Sequence, residues 1–510
     1  MARKLDVLFV NPNSAKAAYQ ALSNLYSAIE PPTWSLLLAA AMRKQGYGVE
    51  ILDCEALHLD PERAAQEISD RDPRLVCFVM YGQNPNSGTT SMIGAIELGT
   101  ALRDARPDLK TCFIGSHPSA LPREVLAYDF VDFVFINEGV YGLQQLLSSD
   151  LKTGMDRVEG LGFKTEDGHQ QFGRPGRLVP QDRMDEDLPG YAWDLLPYDK
   201  KPLDLYRAHF WHTNFSHEGR TPFAAIYTSL GCRFGCDFCM INIVNRTETD
   251  DNVSAADSRV MRHWSPQFIL KEFEALADLG VETLRISDEM FFLNRKYYQP
   301  ILEGIIDRGL KFNMWAYARV DTIRPDQLEL FKKAGTNWLC LGIEAGNKKI
   351  RKTASKGRFE EVDIQDVVRM IQQHDINVLG NYIFGLPDDT HETMQETLDL
   401  ALELNTEHAN FYPCQALPGS PLHLSARLNG WELPQTYEEY AFLSYACKPL
   451  PTHHLSASDV LRFRDEAWTT YFTNERFLSL VEQKFGPEQK RNIEEMAKIK
   501  LKRKLLEDAA

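Results

Sequence analysis

Residues 229–244 read SLGCRFGCDFCMINIV, and within them Cys232, Cys236 and Cys239 are spaced C-x-x-x-C-x-x-C. An apolar, strand-like run, AAIYTSL (224–230), leads into the motif. A structural zinc site closes its tetrahedron with four protein ligands; here there are three thiols, and no fourth Cys or His follows at finger-like spacing. A 4Fe-4S cluster on three thiolates instead leaves one iron open to a small molecule and supplies an electron at low potential. Arg233, Gly235 and Asp237 lie between the thiols, so the segment reads as an exposed loop and not as buried cysteines acting as small hydrophobes. A disulfide framework suits a short secreted chain, whereas this one has 510 residues and nine cysteines, an odd number. Its N-terminus, MARKLDVLFVNPN, reads as a strand and not as a leader.

An apolar fraction of 44% is ordinary for a folded protein with large cores, and the length predicts more than one domain. The longest apolar run, WSLLLAAAM (34–42), falls far short of the ~20 residues that cross a bilayer, so no membrane span and a reducing cytoplasm are expected. A net charge of -16 argues against nucleic acid as a partner, because phosphate binding needs a basic footprint. The one basic stretch, KIKLKRKLL (498–506), is flanked by Glu494, Glu495 and Glu507 and reads as a solvated helix face.

Residues 1–150 alternate β-like runs (LDVLFVN, VEILD, LVCFVMYG, TCFIG, FVFINEG) with helical patterns such as WSLLLAAAMRKQGYG and the stretch from Met92 to Arg103. This order predicts an α/β domain with a parallel, doubly wound, Rossmann-like sheet. Its ligand-binding loops, NPNSA, GQNPNSG, GSHPSALP and NEGVYG, should share the rim at the strand C-termini. Residues 151–215 read as a connector that straps two domains together; EGLGFKTEDGHQQFGR within it has hairpin character, and DEDLPGYAWDLLPYDKK is punctuated by proline. From 216 to 425 a second series follows: AAIYTSL, TLRISDE, FNMWAYARV, WLCLGIEAG, VLGNYIFGLP and ANFYPCQALPGSPL. Six strand-plus-helix units predict a partial (β/α)6 barrel with its functional residues at strand C-termini. Residues 426–510 read as a helical C-terminal region.

The cysteine triad, with the aromatic Phe238 before its third member, resembles the signature of the radical S-adenosylmethionine (radical SAM) superfamily. There the open iron is chelated by the amino and carboxylate groups of SAM. The resemblance spans roughly residues 220–425 and implies roles for the polar groups at successive strand ends. Asp288 and Glu289 would face the amino group and sulfonium of SAM, although ISDEM departs from the family's common Gly-Gly-Glu. Arg319 would pair with the SAM carboxylate, Glu344 would take ribose hydroxyls, and backbone from Ile383 to Gly385 would read the adenine.

Residues 1–150 resemble the cobalamin-binding domain that precedes the barrel in one large radical SAM subclass. The matching features are NPN, the helix and strand PPTWSLLLAAAMRKQGYGVEILD, GSHPSALP and NEG, with a strap like LPGYAWDLLP behind them. This implies cobalamin contacts from Asn11, Asn13, Ser14, Gln83, Asn84, Gly115, Ser116, His117, Asn137, Glu138 and Gly139. Many such modules place a cobalt-ligating His in D-x-H-x-x-G after the first strand; NPNSAK stands there instead, so cobalt should lack an imidazole. His117 would then bond the corrin rim or turn backbone, with Gln83, Asn84 or Asn86 below the cobalt. Methylthiotransferases share the general layout but hold a second cluster on cysteines at strand ends. Here Cys77 and Cys112 fall inside apolar strands, where inert burial is expected, and no cysteine follows the first strand.

The resemblance as a whole implies an enzyme with a 4Fe-4S cluster, SAM and cobalamin as cofactors. It would cleave SAM to a 5′-deoxyadenosyl radical and transfer a methyl group from methylcobalamin to a carbon of a small or medium organic substrate. A rearrangement, cyclisation or oxygenation on the same cofactors is the alternative. A non-catalytic cobalamin sensor would leave the triad and barrel without purpose. An electron donor such as flavodoxin or ferredoxin is the implied protein partner. The barrel mouth is expected to be lined by Trp193, Trp211, His212, Tyr412 and Gln415.

Overall fold

In β1 (Val7–Asn11) the side chains divide between two cores, Val7 and Phe9 into one and Leu8 and Val10 into the other. A strand covered on both faces reads this way. β2 (Val49–Asp53), β3 (Leu75–Met80), β4 (Lys110–Gly115) and β5 (Phe133–Phe135) run parallel to it in the order β2-β1-β3-β4-β5. Helices Thr33–Lys44 and Val140–Ser148 pack into one core, Pro61–Arg71 and Gly88–Ala105 into the other, which gives the expected doubly wound domain. The computed structural model describes residues 5–196, 205–250, 252–354 and 362–508; the end of the proline-punctuated segment, 197–201, lies outside them.

The hairpin forms as β6 (Leu161–Lys164) and β7 (Gln170–Phe172), and both strands extend the first sheet, antiparallel beyond β5. Strapping of the two sheets falls to residues further on. Ala192 donates its amide to the Leu36 carbonyl (3.3 Å) on one side. On the other, the Tyr191 hydroxyl donates to the carbonyl of Tyr227 (2.8 Å), and Trp264 Nε1 donates to that of Leu188 (2.7 Å).

β8 (Phe223–Ile226) opens the second sheet, and the short antiparallel pair β9 (Ser229–Leu230) and β10 (Arg262–His263) flanks the cysteine loop. β11 (Thr283–Ile286), β12 (Asn313–Arg319), β13 (Thr336–Glu344), β14 (Asn377–Phe384) and β15 (His408–Pro413) then add in sequence order, all parallel. This is the expected six-stranded partial barrel. In the C-terminal region, helices Ala457–Phe472, Glu475–Phe485 and Pro487–Ala497 follow a largely irregular stretch over 429–456, the first of them opened by a Ser456–Asp459 capping box.

Two expectations are corrected here. Trp211 and His212 do not line the barrel mouth; they plug the opposite end. His212 Nε2 meets the carbonyl of Asn313, the first residue of β12 (3.0 Å), and Trp211 packs on Trp315, Trp338 and His408 near other strand starts. Burial pulls the His212 pKa down to about 3, so its ring is neutral and serves packing. Trp193 also points elsewhere, donating to Glu272 on helix Pro266–Asp278 (2.9 Å). The basic stretch 498–506 is no solvated helix face. Its residues 499–503 are non-helical, and Arg503 is buried in a two-pronged pair with Asp465 (2.8 and 2.9 Å). Among the described residues no helix is long and apolar enough to cross a membrane.

Two ion pairs cross the seam between the sheets, and all four groups are almost fully buried. Glu30 meets Arg285 of β11 at 2.6 Å, and Glu138 meets Arg262 of β10 at 2.8 Å. Burial alone would raise Glu30, but the Arg285 guanidinium and His209 outweigh it and hold the carboxyl below its usual range.

Candidate cofactor site

The cysteine loop leaves the C-terminal edge of the barrel directly after β9. Asn242 shapes it: Oδ1 accepts from the Cys232 amide (2.9 Å), while Nδ2 donates to the carbonyls of Cys232 (2.9 Å) and Phe234 (3.3 Å). The Phe234 amide points at Cys232 Sγ (3.5 Å), the kind of contact that tunes a cluster thiolate. The other end of the loop is held from the first domain, where Asn86 after β3 accepts from the Met240 amide (3.0 Å) and lies 3.9 Å from Cys239 Sγ.

Burial pushes the Cys232 thiol up to about 11 and Cys236 up to about 12. Iron binding to the thiolates would reverse that preference. Among the described residues no three His, Cys, Asp or Glu side chains already stand in metal-ligand geometry, so the protein supplies the loop and its spacing but not a finished cage.

Around the loop, the strand ends carry the polar groups expected, with different assignments for several. Asp288 is fully engaged: it accepts from the Thr228 amide (2.5 Å), Thr228 Oγ1 (2.7 Å) and Ser229 Oγ (2.5 Å). Instead of facing a ligand it braces the chain where it enters the cysteine loop. Burial raises its pKa to about 6 against the pull of those hydrogen bonds. Glu289 is the reverse case, with a buried Oε1 that has no hydrogen-bond partner. Burial raises it to about 8; Arg285 opposes this and Asp288 adds to it. Glu344, at φ +65°, is raised by burial to about 7 against the influence of Arg319. Arg319 itself is gripped twice by Asp321 (2.9 Å each) and covers the Phe234 ring at 4.0 Å. Phe238 packs against the small apolar cluster that contains Ile383. The Gly385 amide donates to Asp389 (3.0 Å), and a Cβ there would stand 2.4 Å from Val460, so only glycine lets helix Ala457–Phe472 approach.

The rim of the first sheet is knitted from its own side chains. Asn11 donates to Asp53 (2.8 Å), Asn13 to the Leu59 carbonyl (3.4 Å), and Ser14 Oγ accepts from the Gly94 amide (3.0 Å). Asn84 accepts from the Asn86 amide (2.9 Å) beside the half-buried Gln83, and Ser116 donates to the Pro85 carbonyl (2.6 Å). Asn137 turns back to accept from the Gly139 amide (2.8 Å). At Gly115, φ is +135° and a Cβ would lie 2.2 Å from the Met80 carbonyl oxygen, so the β3 and β4 ends approach backbone to backbone. The His117 ring is buried, bonded to Thr89 Oγ1 (3.1 Å) and 3.4 Å from Glu124, so side chains and not turn backbone are its partners. Glu138 is committed to Arg262.

Where the two rims meet, a narrow cleft is lined by Trp34, Tyr81 and Pro85 from one side and by Tyr227, Gly231 and Glu289 from the other. Trp34 and Tyr81 stack at 4.7 Å and 9°. Trp34 Nε1, Tyr227 Oη and Glu289 Oε1 are all buried without partners. Buried polar atoms are nearly always satisfied, so two donors and a carboxylate left over around one cleft are available to a small polar group or a water. The cleft is tight, enclosing about 10 Å³, the room of a single water.

Sequence reading missed Asn242, Glu30, Arg285 and Tyr227. Asn242 had a signal, a polar residue inside the apolar run MINIV; Glu30, in AIEPP, had none.

The Radical SAM superfamily model matches residues 226–401, and the B12 binding domain model matches residues 23–147. An uncharacterized methyltransferase of Pyrococcus horikoshii is 23% identical over 93% of this chain and 94% of its own. The anaerobic magnesium-protoporphyrin IX monomethyl ester cyclase of Cereibacter sphaeroides is 24% identical over 87% of this chain and 67% of its own. Among solved structures, the radical SAM methyltransferase TsrM from Kitasatospora setae, with cobalamin and a 4Fe-4S cluster bound, shares the fold at a TM-score of 0.65 and 17% identity, over 97% of this chain and 100% of its own. A partial barrel with a three-cysteine loop at its rim, matched by that family, makes this chain a radical SAM enzyme. With the B12-binding domain on the same chain, it belongs to the cobalamin-binding radical SAM enzymes, whose cofactors are a 4Fe-4S cluster, SAM and cobalamin.

Proposed function

We propose that the protein is a C-methyltransferase, moving a methyl group from methylcobalamin to a carbon of a small or medium-sized organic molecule. The observation that carries this reading is the seam itself. The rim of the cobalamin-binding domain and the rim of the barrel face each other across one cleft with three unsatisfied buried polar atoms. When bound, the cofactors supply homolytic cleavage and the methyl group; the chain supplies position and exclusion of water.

Cys232, Cys236 and Cys239 hold the cluster, and Asn242 and Asp288 position their loop. Glu289 and Glu344 are suited to cationic and hydroxyl groups of SAM, because burial makes a neutral or partnered carboxyl the favoured state. Arg319 presents its guanidinium beside the loop, already oriented by Asp321. Phe238, Ile383 and the backbone at Gly385 border the adenine position. On the other rim Asn11, Asn13, Ser14, Gln83, Asn84, Gly115, Ser116, Asn137 and Gly139 shape the cobalamin cradle. Glu138 and His117 serve as supports behind it.

Anaerobic reconstitution with iron, sulfide and cobalamin tests the proposal, followed by incubation with SAM and candidate substrates and mass analysis of the products. Gain of one methylene is the expected result. Failure to bind cobalamin removes methylation from consideration, and consumption of substrate without that gain transfers the assignment to a rearrangement or cyclisation.

A further inference from the structure

The upper half of the barrel is hollow along β12 to β15. The inward positions Tyr317, Gly342, Asn381, Asn410 and Tyr412 are only half-buried, whereas their outward neighbours Ala316, Leu341, Tyr382 and Phe411 are fully buried. A packed barrel fills its interior with side chains, so accessible surface on the inward face marks an open chamber. Its wall is polar: Asn410 Nδ2 donates to Asn381 Oδ1 (3.1 Å), and Tyr412 Oη reaches the same oxygen (3.5 Å). Arg285 lies on its floor over the rings of Trp315 (4.8 Å) and Tyr317 (5.5 Å), almost fully buried and with Nε left without a partner. The first domain supplies the cover. Gln20 donates to the Leu443 carbonyl (2.7 Å) and so sets Tyr19 above the chamber, where burial and the nearby Glu55, Glu30 and Tyr412 groups hold its hydroxyl pKa above the usual phenol range. Three carboxyls meet under this cover. Glu30 is matched by Arg285 and His209, and Asp53 accepts from Asn11, Tyr206 and the Ala56 amide. Glu55, on the turn after β2 and outside the rim's network, is different: its carboxyl has no hydrogen bond or ion pair among the described residues, and burial beside Asp53 and Glu30 pushes it up to about 8.

We propose that this chamber takes the substrate and that the substrate is a cationic amine, its nitrogen held by Glu55 beneath Tyr19 and its carbon skeleton lodged between Tyr317 and Tyr412. The inference names the substrate class of the proposed methyl transfer and rests on that reading for calling the ligand a substrate. A buried carboxyl without a counter-ion is costly, and a protonated amine brings it one positive charge and up to three donors. Tyrosine ring faces attract the same cation. A carboxylate in that position would add a fourth acid to Glu30, Asp53 and Glu55 and be repelled. A hydroxyl would give Glu55 one donor and no charge. Selection therefore comes from both terms, attraction of the amine and rejection of the acid. The paired carboxamides of Asn381 and Asn410 face the rest of the molecule and are suited to a single polar substituent.

The test compares three probes of one shape on the reconstituted full chain, with binding read from fluorine line broadening: 4-fluorophenethylammonium, 2-(4-fluorophenyl)ethanol and 3-(4-fluorophenyl)propionate. The ammonium should bind at least tenfold more tightly than the alcohol, and the propionate more weakly than both. Glu55→Gln should bring the ammonium to the level of the alcohol, and Glu55→Asp should keep most of the preference. Equal affinities in the wild type, or binding of none of the three, overturns the proposal. An ammonium preference that survives in Glu55→Gln reports attraction to the acidic surface and overturns it as well. The wild-type comparison decides the matter even if the variants fold poorly. Product mass remains a separate measurement: a chain that prefers the ammonium but transfers no methyl group refutes the methyl-transfer reading alone, and a methylating chain without that preference refutes this inference alone.

Discussion

The two rims that face each other across the cleft are built on opposite plans. On the first sheet many polar side chains are turned onto the rim itself, Ser116 on the Pro85 carbonyl, Asn137 Oδ1 on the Gly139 amide and Asn11 on Asp53, while Asn137 Nδ2 and Trp34 Nε1 are left over. What it offers a ligand is closely packed backbone and an aromatic pair. The barrel rim leaves a buried oxygen of Glu289 without a partner, and burial pushes both Glu289 and Glu344 upward. The first rim is thus made to hold a large, largely neutral ring system, the second to hold charge. Unsatisfied buried groups lower stability, and they are retained where a ligand completes them.

The largest effect expected of breaking this division is on the barrel side. Cys236→Ala should abolish the cluster and with it SAM cleavage, read as iron and sulfide content and as methionine release, while cobalamin binding by the other rim persists. Next come the buried ion pairs that join the rims. Glu30→Ala strips the buried Arg285 of its carboxylate and leaves it against the Trp315 and Tyr317 rings, and a loss of about 3–5 kcal/mol in chemical denaturation is expected. The double change Glu30→Leu with Arg285→Met should recover most of it, because the unpaired charge is then gone.

The pH dependence sharpens the contrast further. A carboxyl whose pKa is raised on folding holds its proton in the folded state after the unfolded chain has released it, so stability falls as pH rises between the two values. For Glu289 and Glu344 that window runs from the ordinary carboxyl range up to about 8 and about 7. The ligand-free protein should therefore gain stability on acidification from pH 8 to pH 5, with a limiting slope of about 1.4 kcal/mol per pH unit for each carboxyl. Thermal melts of Glu289→Gln should show a flatter profile. The smallest effect belongs to the tether between the rims: Asn86→Ala removes the acceptor for the Met240 amide at a cost of about 1 kcal/mol, seen as faster loss of the cluster from the reconstituted protein.

Both sheets were legible in the sequence because their strands are short apolar runs separated by helical patterns, and all six barrel strands stand where those runs predicted. The cysteine loop was legible because three thiols at that spacing exclude other chemistry. Partner choice was not. Asp288 and Glu289 are neighbours in sequence with the same chemistry, yet one is consumed by Thr228 and Ser229 and the other is left over; only the turn of the chain after β11 decides which. Trp211 and His212 resembled mouth residues because aromatics suit ligands, but aromatics equally close the far end of a barrel. The hairpin β6–β7 was found as a hairpin, while its place on the edge of the first sheet depended on pairing with β5, which no local pattern encodes.

The paired charges Glu30–Arg285 and Glu138–Arg262 also bear on heredity. Each joins one half of the chain to the other, so a change in either partner passes through an ancestor with a solitary buried ion. Grafting the front half of a relative onto this barrel would meet the same obstacle unless both acids arrive with it. The halves are therefore expected to be inherited as a unit, with sequence drift at positions 30 and 138 matched at 285 and 262.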